Sequence, residues 1–328
     1  LSLIKAIPMT VFQNEFSLIE QFFSNTGNSP FPVELSQGDD AAVVDVPIGK
    51  QLVMSVDTLI SGVHFPEQTC AADIAHKSLA VNLSDLAAMG ATPAWFLLSI
   101  TLPKFDEVWL SEFSESLKET SNQYQIKLIG GDTCRGPLSI TVQVTGLADK
   151  NCYVGRSGAK LGDLILVSGQ LGNAALGLAH LQQKLTLPVD LVQPCVEALN
   201  RPLPRLELSD FLTSYASAAI DLSDGLVGDL RHILDQSQKG AVINRDVLPV
   251  NDWFRSHQAY DFALTGGDDF ELCFTVPIKY IRAVDTWNQN NPQCQLTEIG
   301  EITGSGYLLV GNHQTEDLSD WQGYQHFE

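Results

Sequence analysis

Between Leu138 and Leu147 the chain sets Ser139, Thr141, Gln143 and Thr145 against Ile140, Val142 and Val144. That alternation predicts a strand with one face buried and one exposed. Val43-Val44, Leu52-Val53-Met54, Trp95 to Leu102 and Ile126 to Ile129 read as further strands. Helical spacing separates them. Ser17-Leu18-Ile19-Glu20 has the form of a capping box ahead of an apolar face of Ile19, Phe22 and Phe23. Asp73 to Met89 predicts a helix stopped by Gly90, and Glu107 to Gln123 an amphipathic one carrying Val108, Leu110, Phe113 and Leu117. Asp149 to Lys160 then turns polar and glycine-containing, basic at Lys150, Arg156 and Lys160, and predicts the boundary between domains 1–150 and 151–328. The second half predicts a strand at Asp163 to Ser168, helices at Asn173 to Leu185 and, with a proline interruption, Val196 to Ser214, and a helix through Leu230, Ile233 and Leu234. A strand at Phe270 to Val276, a helix at Ile278 to Trp287 and strands at Leu296 to Ile302 and Tyr307 to Val310 close the chain.

The polar residues that break this pattern are mostly aspartates beside glycine or serine. Asp39, Asp40 and Asp57 fall at predicted strand ends, and Asp132 follows Gly130-Gly131 just past another. Gly-Asp-Asp reads equally as a plain turn or as a metal loop, since Mg²⁺ takes hard oxygen ligands, few of them from protein. Asn82 and Asp85, three apart, share one face of an apolar helix. They form either a satisfied core network or, with Asp40 and Asp57, a cation site. Ser223 or Asp224 can cap the helix that follows Asp221. A helix N-terminus suits phosphate, and aspartates there repel it unless a metal intervenes. Gly266-Gly267-Asp268-Asp269 repeats the Gly-Gly-Asp device. Arg156 is a surface arginine or an anion contact. The aromatic tail, Trp321 to Phe327, either docks in a groove or stacks on a flat substrate ring.

Composition narrows the classes. Of 328 residues 44% are apolar and 18% charged, as in globular proteins of two ordinary domains. With 19 Lys+Arg against 39 Asp+Glu, a net charge of -20, there is little material for a basic patch, so nucleic acid and membrane are not expected partners. Six scattered cysteines without zinc spacing suit a reducing cytoplasm. No apolar run approaches the roughly 18 residues of a membrane span. Leu1 to Pro8 lack the form of a signal peptide, with Met9 a candidate true start. There is no P-loop and no protein-kinase motif set. Asp40, Asp57, Asp85, Asp132, Asp221 and Asp224 together suggest a multi-metal site for polyphosphate chemistry, which needs positioning and charge neutralisation more than covalent catalysis.

Six motifs in order carry a resemblance over nearly the whole chain, from Phe16 to Phe327. They are Gly38-Asp39-Asp40-Ala41, Ser55-Val56-Asp57-Thr58 with Gly62-Val63-His64-Phe65, Asn82 to Ala91, Gly130-Gly131-Asp132-Thr133, Ile220 to Leu226, and Gly266 to Leu272. The chain resembles the thiamine-monophosphate kinases, within the superfamily of aminoimidazole ribonucleotide synthetase and selenophosphate synthetase. The resemblance implies a two-domain α/β (α+β) fold of the aminoimidazole ribonucleotide synthetase type, with an N-terminal mixed sheet and helices that dimerises and a C-terminal α/β domain. It implies ATP-dependent, in-line phosphorylation of thiamine monophosphate to thiamine diphosphate with several Mg²⁺ ions, and a cytoplasmic homodimer. By motif position, Asp40, Ser55, Val56, Asp57, Asp85, Asp132, Asp221 and Asp224 would serve the metals. Tyr124, Gly131, Asp132, Arg156 and Ser223 would contact ATP, and His64, Asp268 and Tyr324 the thiamine phosphate. No residue is implied as general base, because a phosphate acceptor is already ionised at neutral pH. Val56 stands where threonine is common, which costs a ligand only if the hydroxyl binds. Asp268 stands where glutamate is frequent, which shortens its reach by a methylene. The competing readings are a sibling ATP-using synthetase with another substrate and a non-enzymatic cation-binding protein.

Overall fold

The computed structural model describes residues 15–311 and 313–324. The start of the chain, including Leu1 to Met9, and the tail's Gln325, His326 and Phe327 lie outside the described residues. Thirteen strands are described: β1 (Val33–Leu35), β2 (Val43–Val44), β3 (Lys50–Ile60), β4 (Thr92–Leu102), β5 (Lys127–Arg135), β6 (Ser139–Asp149), β7 (Asp163–Ser168), β8 (Ala218–Asp221), β9 (Gly240–Asn244), β10 (Leu272–Pro277), β11 (Leu296–Thr303), β12 (Tyr307–Gly311) and β13 (Gln314–Asp317). The helices are α1 (Glu15–Phe22), α2 (Ala71–Ala88), α3 (Glu107–Gln123), α4 (Asn173–Leu181), α5 (Val189–Asn200), α6 (Ser209–Tyr215), α7 (Leu226–Ser237), α8 (Asp252–His257), α9 (Asp261–Thr265) and α10 (Ile281–Asn290).

The first sheet runs β3-β6-β4-β5, with β4 and β5 parallel and the other pairs antiparallel. Its inner residues, among them Phe96, Leu98, Ile140, Val142 and Val144, pack with Leu79, Leu83 and Leu86 of α2 and with Leu110, Phe113 and Leu117 of α3. On its outer face Leu52, Met54 and Val56 of β3 stand exposed. The second sheet runs β13-β12-β9-β11-β7-β10-β8 and is antiparallel except for β12 beside β9. Its interior strand β7 is buried throughout, the mark of a sheet covered on both faces. Ile165 and Val167 face one core, while Leu164 and Leu166 face the other. Ala87 and Ala88, at the end of α2, belong to that second core. α2 therefore packs on both sheets.

Several boundaries differ from the sequence reading. β3 continues to Ile60, so Asp57 lies inside a strand rather than at its end. β5 likewise runs through Gly130, Gly131 and Asp132. There the bare backbone of Gly131 passes Leu98 so closely that a Cβ would sit 1.9 Å from its carbonyl oxygen. Ser17 lies within α1, and the face of that helix that is buried is Leu18 and Phe22. Pro194 is accommodated inside α5, a separate helix from α6. Strands β9 and β13 and helices α8 and α9 are short elements outside the sequence-predicted set.

Candidate functional site

β3 and α2 carry the centre of the site, and two side-chain bonds join them. The Ser55 hydroxyl donates to Asp85 Oδ2 at 2.6 Å, and the Asp57 backbone N–H donates to Asn82 Oδ1 at 3.0 Å. Asn82 is fixed by donating from Nδ2 to the Ser78 carbonyl. The predicted Asn82 and Asp85 face is thus a staple between helix and strand. From the second domain, Asp221 at the end of β8 and Asp224 in the following turn approach the same place.

The electrostatics show that these carboxylates act on one another. Burial, then Asp85, then Asp224 push Asp57 up to about 6. Burial raises Asp85 too, against the opposing Ser55 hydrogen bond and the Arg156 guanidinium. Asp221 lies well above the usual carboxylate range, through burial first and then Asp85 and Asp229. Such shifts mark negative charge with too little compensation. The donors are hard oxygens converging from two domains, a set that fits a divalent cation such as Mg²⁺, which takes few protein ligands and fills its shell with water and phosphate. Among the described residues no group of three or more His, Cys, Asp or Glu side chains closes into a ready cage. The fit therefore rests on the chemistry of the donors and leaves part of the shell for substrate.

The turn after β8 is not capped by Ser223 or Asp224, as the sequence suggested. Gly225 takes the N-cap position of α7 with φ 108° and no side-chain bond. Asp229, one turn into the helix, instead accepts the backbone N–H groups of Asp224 and Gly225. Burial pushes Asp229 up to about 7, those two bonds opposing it. Ser223 and Asp224 both line a cleft.

That cleft, about 800 Å³, is lined by Val56, Asp57, His64, Asp224, Asp268 and Tyr324, among others. His64 Nδ1 accepts the Ile60 backbone N–H, so the neutral ring carries its proton on Nε2. Asp268 adopts a left-handed φ of 71° and donates its backbone N–H to the Ser223 carbonyl at 2.9 Å. Gly267 allows that approach, because a Cβ there would meet Ser223 O at 2.4 Å. Asp269 turns the other way and accepts the Gly172 N–H at the start of α4, at 2.8 and 2.9 Å to its two oxygens. The tail is tied down by Arg231, which donates to the carbonyls of Leu318, Ser319 and Trp321. The Tyr324 N–H donates to Asp224 O, which brings this ring to the cleft.

A larger hollow of about 1230 Å³ lies on the open face of the first sheet and is lined by Asp39, Asp40, Met54, Gly131 and Asp132, among others. Cys134 donates its thiol to Asp132 Oδ2 there. The sequence-predicted residues thus fall into two groups. Val56, Asp57, His64, Ser223, Asp224, Asp268 and Tyr324 meet in the smaller cleft. Ser55, Asp85 and Asp221 support it, and exposed Arg156 acts on Asp85 and Asp229 from its edge. Asp40, Gly131 and Asp132 meet in the larger hollow. Tyr124 lines neither. It caps α3, packs on the first core, and has Glu207, Arg205 and Arg201 as charged neighbours. Val56 projects from β3 on the opposite side to Ser55 and Asp57, so a metal ligand from this position must be its carbonyl. Two further residues were not anticipated, Asp229 and the buried Lys77, which also lines the smaller cleft. Their signals were an aspartate in a helix's first turn and a lysine in an otherwise small and apolar stretch of helix.

Residues 38–148 match the family of AIR synthase related protein N-terminal domains, and residues 160–311 the corresponding C-terminal domains. The thiamine-monophosphate kinase of Escherichia coli K12 is 44% identical over 320 residues, covering 95% of this chain and 98% of that protein. The crystal structure of thiamine-monophosphate kinase from Stenotrophomonas maltophilia K279a superposes with a TM-score of 0.79 at 42% identity, covering 86% of this chain and 92% of that one. A structure of AaThiL complexed with AMPPCP and TMP matches with a TM-score of 0.73 at 30% identity, covering 88% and 91%.

Proposed function

Since the chain belongs to the thiamine-monophosphate kinases of the AIR synthase related family, we propose that it transfers the γ-phosphoryl group of ATP directly to the phosphate of thiamine monophosphate, giving thiamine diphosphate and ADP. The observation that carries this reading is the meeting of Asp57, Asp85, Asp221 and Asp224 beside a cleft that also holds His64, Asp268 and Tyr324. It agrees with the relative solved with AMPPCP, a methylene analogue of ATP, and TMP.

Asp57, Asp85, Asp221 and Asp224, with Ser55 and the Val56 carbonyl, would hold Mg²⁺ ions, and Asp40 and Asp132 would add ligands from the larger hollow. Bound there, Mg²⁺ would supply positive charge that offsets the negative charge of the reacting phosphates. The chain's own residues do the positioning. Ser55 and Asn82 keep Asp85 and Asp57 at a fixed separation through the bonds between α2 and β3. Gly131, Asp132, Arg156 and Ser223 are the residues we assign to ATP. Tyr124, which lines neither cavity, is assigned to ATP on the resemblance alone. Tyr324 offers an aromatic face and Asp268 a carboxylate to the flat, cationic thiazolium. His64 presents its Nε2 proton to a substrate acceptor. No side chain is needed to deprotonate an acceptor phosphate that is already ionised.

We divide the chain at 150/151, inside the polar stretch that joins the two sheets. We further propose a homodimer formed through the open face of the first sheet, where Met54 is 60% and Val56 58% exposed. Patches of this kind mark interaction surfaces. A second copy seated there would roof the larger hollow and place Asp40, Gly131 and Asp132 at a subunit junction. Six free cysteines, three of them exposed, suit a cytoplasmic enzyme. No helix among the described residues is long and apolar enough to cross a membrane.

The deciding experiment incubates the full chain with ATP, Mg²⁺ and thiamine monophosphate and follows products by chromatography, with free thiamine as control. Thiamine diphosphate and ADP in equal amounts support the proposal. ADP without thiamine diphosphate directs attention to a sibling substrate, and a folded protein with no ATP turnover sinks the kinase reading.

A further inference from the structure

Lys77 sits mid-helix in α2 with its side chain 3% exposed. A lysine is almost never buried without a partner, yet this one has only half a partner. Its Nζ lies 3.0 Å from Asp268 Oδ1 in an ion pair, and no other acceptor among the described residues bonds to it. The cavity that it borders is the smaller cleft, shared with Asp57, Ser223 and Asp224. Lys77, Val81 and Asp85 follow one another at four-residue spacing, so they lie along one stripe of the helix. Asp85 belongs to the carboxylate cluster, and Lys77 is two turns, about 12 Å, toward the helix start. The same stripe therefore carries an anion in the carboxylate cluster and, two turns away, a cation on the cleft. Among the described residues the one other lysine on this cleft, Lys184, is exposed.

We propose that Lys77 is an acceptor-binding residue: its ammonium group, held on one side by Asp268, donates to an oxygen of the phosphate monoester that receives the phosphoryl group. This rests on the kinase reading above and adds to it the group that recognises the acceptor's own phosphate. An ammonium has three N–H donors, and a single carboxylate oxygen leaves two without a protein partner on the wall of the cleft. Leaving buried donors unmade is costly. The group best able to take them in an otherwise acidic cleft is an anion, and the acceptor brings one as a dianion. Asp268 would then serve two neighbours, orienting Lys77 with one oxygen and facing the thiazolium with the other.

The test measures binding of thiamine monophosphate and of thiamine to the full chain by calorimetry with Mg²⁺ present. The ratio of the two affinities isolates the phosphate. Lys77→Met should lower that ratio by about tenfold to a hundredfold, the worth of a hydrogen bond to a charged group, while thiamine itself binds within about threefold of the parent. Asp268→Asn should weaken both ligands together and keep most of the ratio. Because Lys77→Met leaves Asp268 without its cation, the pair Lys77→Met with Asp268→Asn is measured as well, which removes both charges and avoids an unpaired one. Its ratio should fall as far as that of Lys77→Met alone. A ratio unchanged in both Lys77 variants overturns the proposal, as does equal loss for both ligands, which would make Lys77 only a support for Asp268. If the parent chain makes thiamine diphosphate, such a result removes Lys77 alone. If the parent makes none, the kinase reading and this inference fall together.

Discussion

Asp85 receives the Ser55 hydroxyl on one oxygen and stands within the field of both Asp57 and Asp221. Replacing it with Asn keeps the shape and the hydrogen-bonding partner but removes a charge and, on the proposed function, a metal ligand. Turnover should fall by at least about 100-fold, the upper end of what losing even an outer partner of a metal costs, with the circular dichroism spectrum unchanged. A folded Asp85→Asn variant with normal activity would take Asp85 out of the mechanism. The same cluster predicts a pH dependence. Asp57 and Asp229 are raised to about 6 and about 7 in the folded chain, against an unfolded value of about 4. A carboxyl that is harder to ionise when folded supports folding while protonated. Its contribution is whole below about pH 4 and is lost as the pH rises through 6 for Asp57 and 7 for Asp229. Mg²⁺ favours the ionised forms and should offset that loss. The rise in melting temperature on adding Mg²⁺ should thus be small at pH 5 and level off above pH 7, and an increment that is flat across this range would contradict the assignment. Asp57, Asp85, Asp221 and Asp224 could be named from the sequence because acidic residues beside glycine or serine stand out against apolar runs. Asp229 and Lys77 could not, because a first-turn aspartate and a mid-helix lysine are ordinary until the fold shows what they touch.

β3 shows how one element serves two purposes through its alternation. Ser55 and Asp57 on one side bond to α2, while Leu52, Met54 and Val56 on the other form an apolar surface at the larger hollow and beside the smaller cleft. If that surface is the dimer interface, Met54→Asp should place a charge at its centre and release single chains. Light scattering after gel filtration should then read about 35.8 kDa in place of twice that mass. A Met54→Asp variant that keeps the parent's dimeric mass would move the interface elsewhere. The sequence marked only Leu52-Val53-Met54 of this strand, because the polar Ser55, Asp57 and Thr58 interrupt its apolar run. β5 was cut short for a related reason. Gly130 and Gly131 read as a strand end, but here they let two neighbouring strands approach at Leu98. Helix ends stopped by glycine or proline, as at Gly90, were legible to within a residue or two.

At the scale of the whole molecule, α2 ties the two sheets together. Its Leu79, Leu83 and Leu86 belong to the core of the first sheet, and its Ala87 and Ala88 to the core between the second sheet and the helices at Leu208, Phe211 and Leu212. Phe270, from the loop that carries Asp268, returns the exchange by packing in the first core. Arg201 and Asp73 form an ion pair across the same junction at 3.0 Å, and His76 Nε2 lies 3.0 Å from the Pro202 carbonyl oxygen. The family boundaries and the two separate sheets suggest domains that fold alone, but this shared packing predicts one cooperative unit. Denaturant unfolding followed by far-ultraviolet circular dichroism and by tryptophan fluorescence should give coincident transitions, since Trp95 and Trp109 report from the first half and Trp253, Trp287 and Trp321 from the second. Residues 151–328 expressed alone, without α2 to cover Phe211 and Ala219, should lack a sharp transition. Two resolved transitions in the full chain would instead make the junction a movable interface. The difference matters for catalysis, because Asp57 and Asp85 come from one half and Asp221 and Asp224 from the other. Halves that unfold independently would hold those carboxylates together only through bound metal, whereas a single cooperative unit keeps them assembled before metal and substrate arrive.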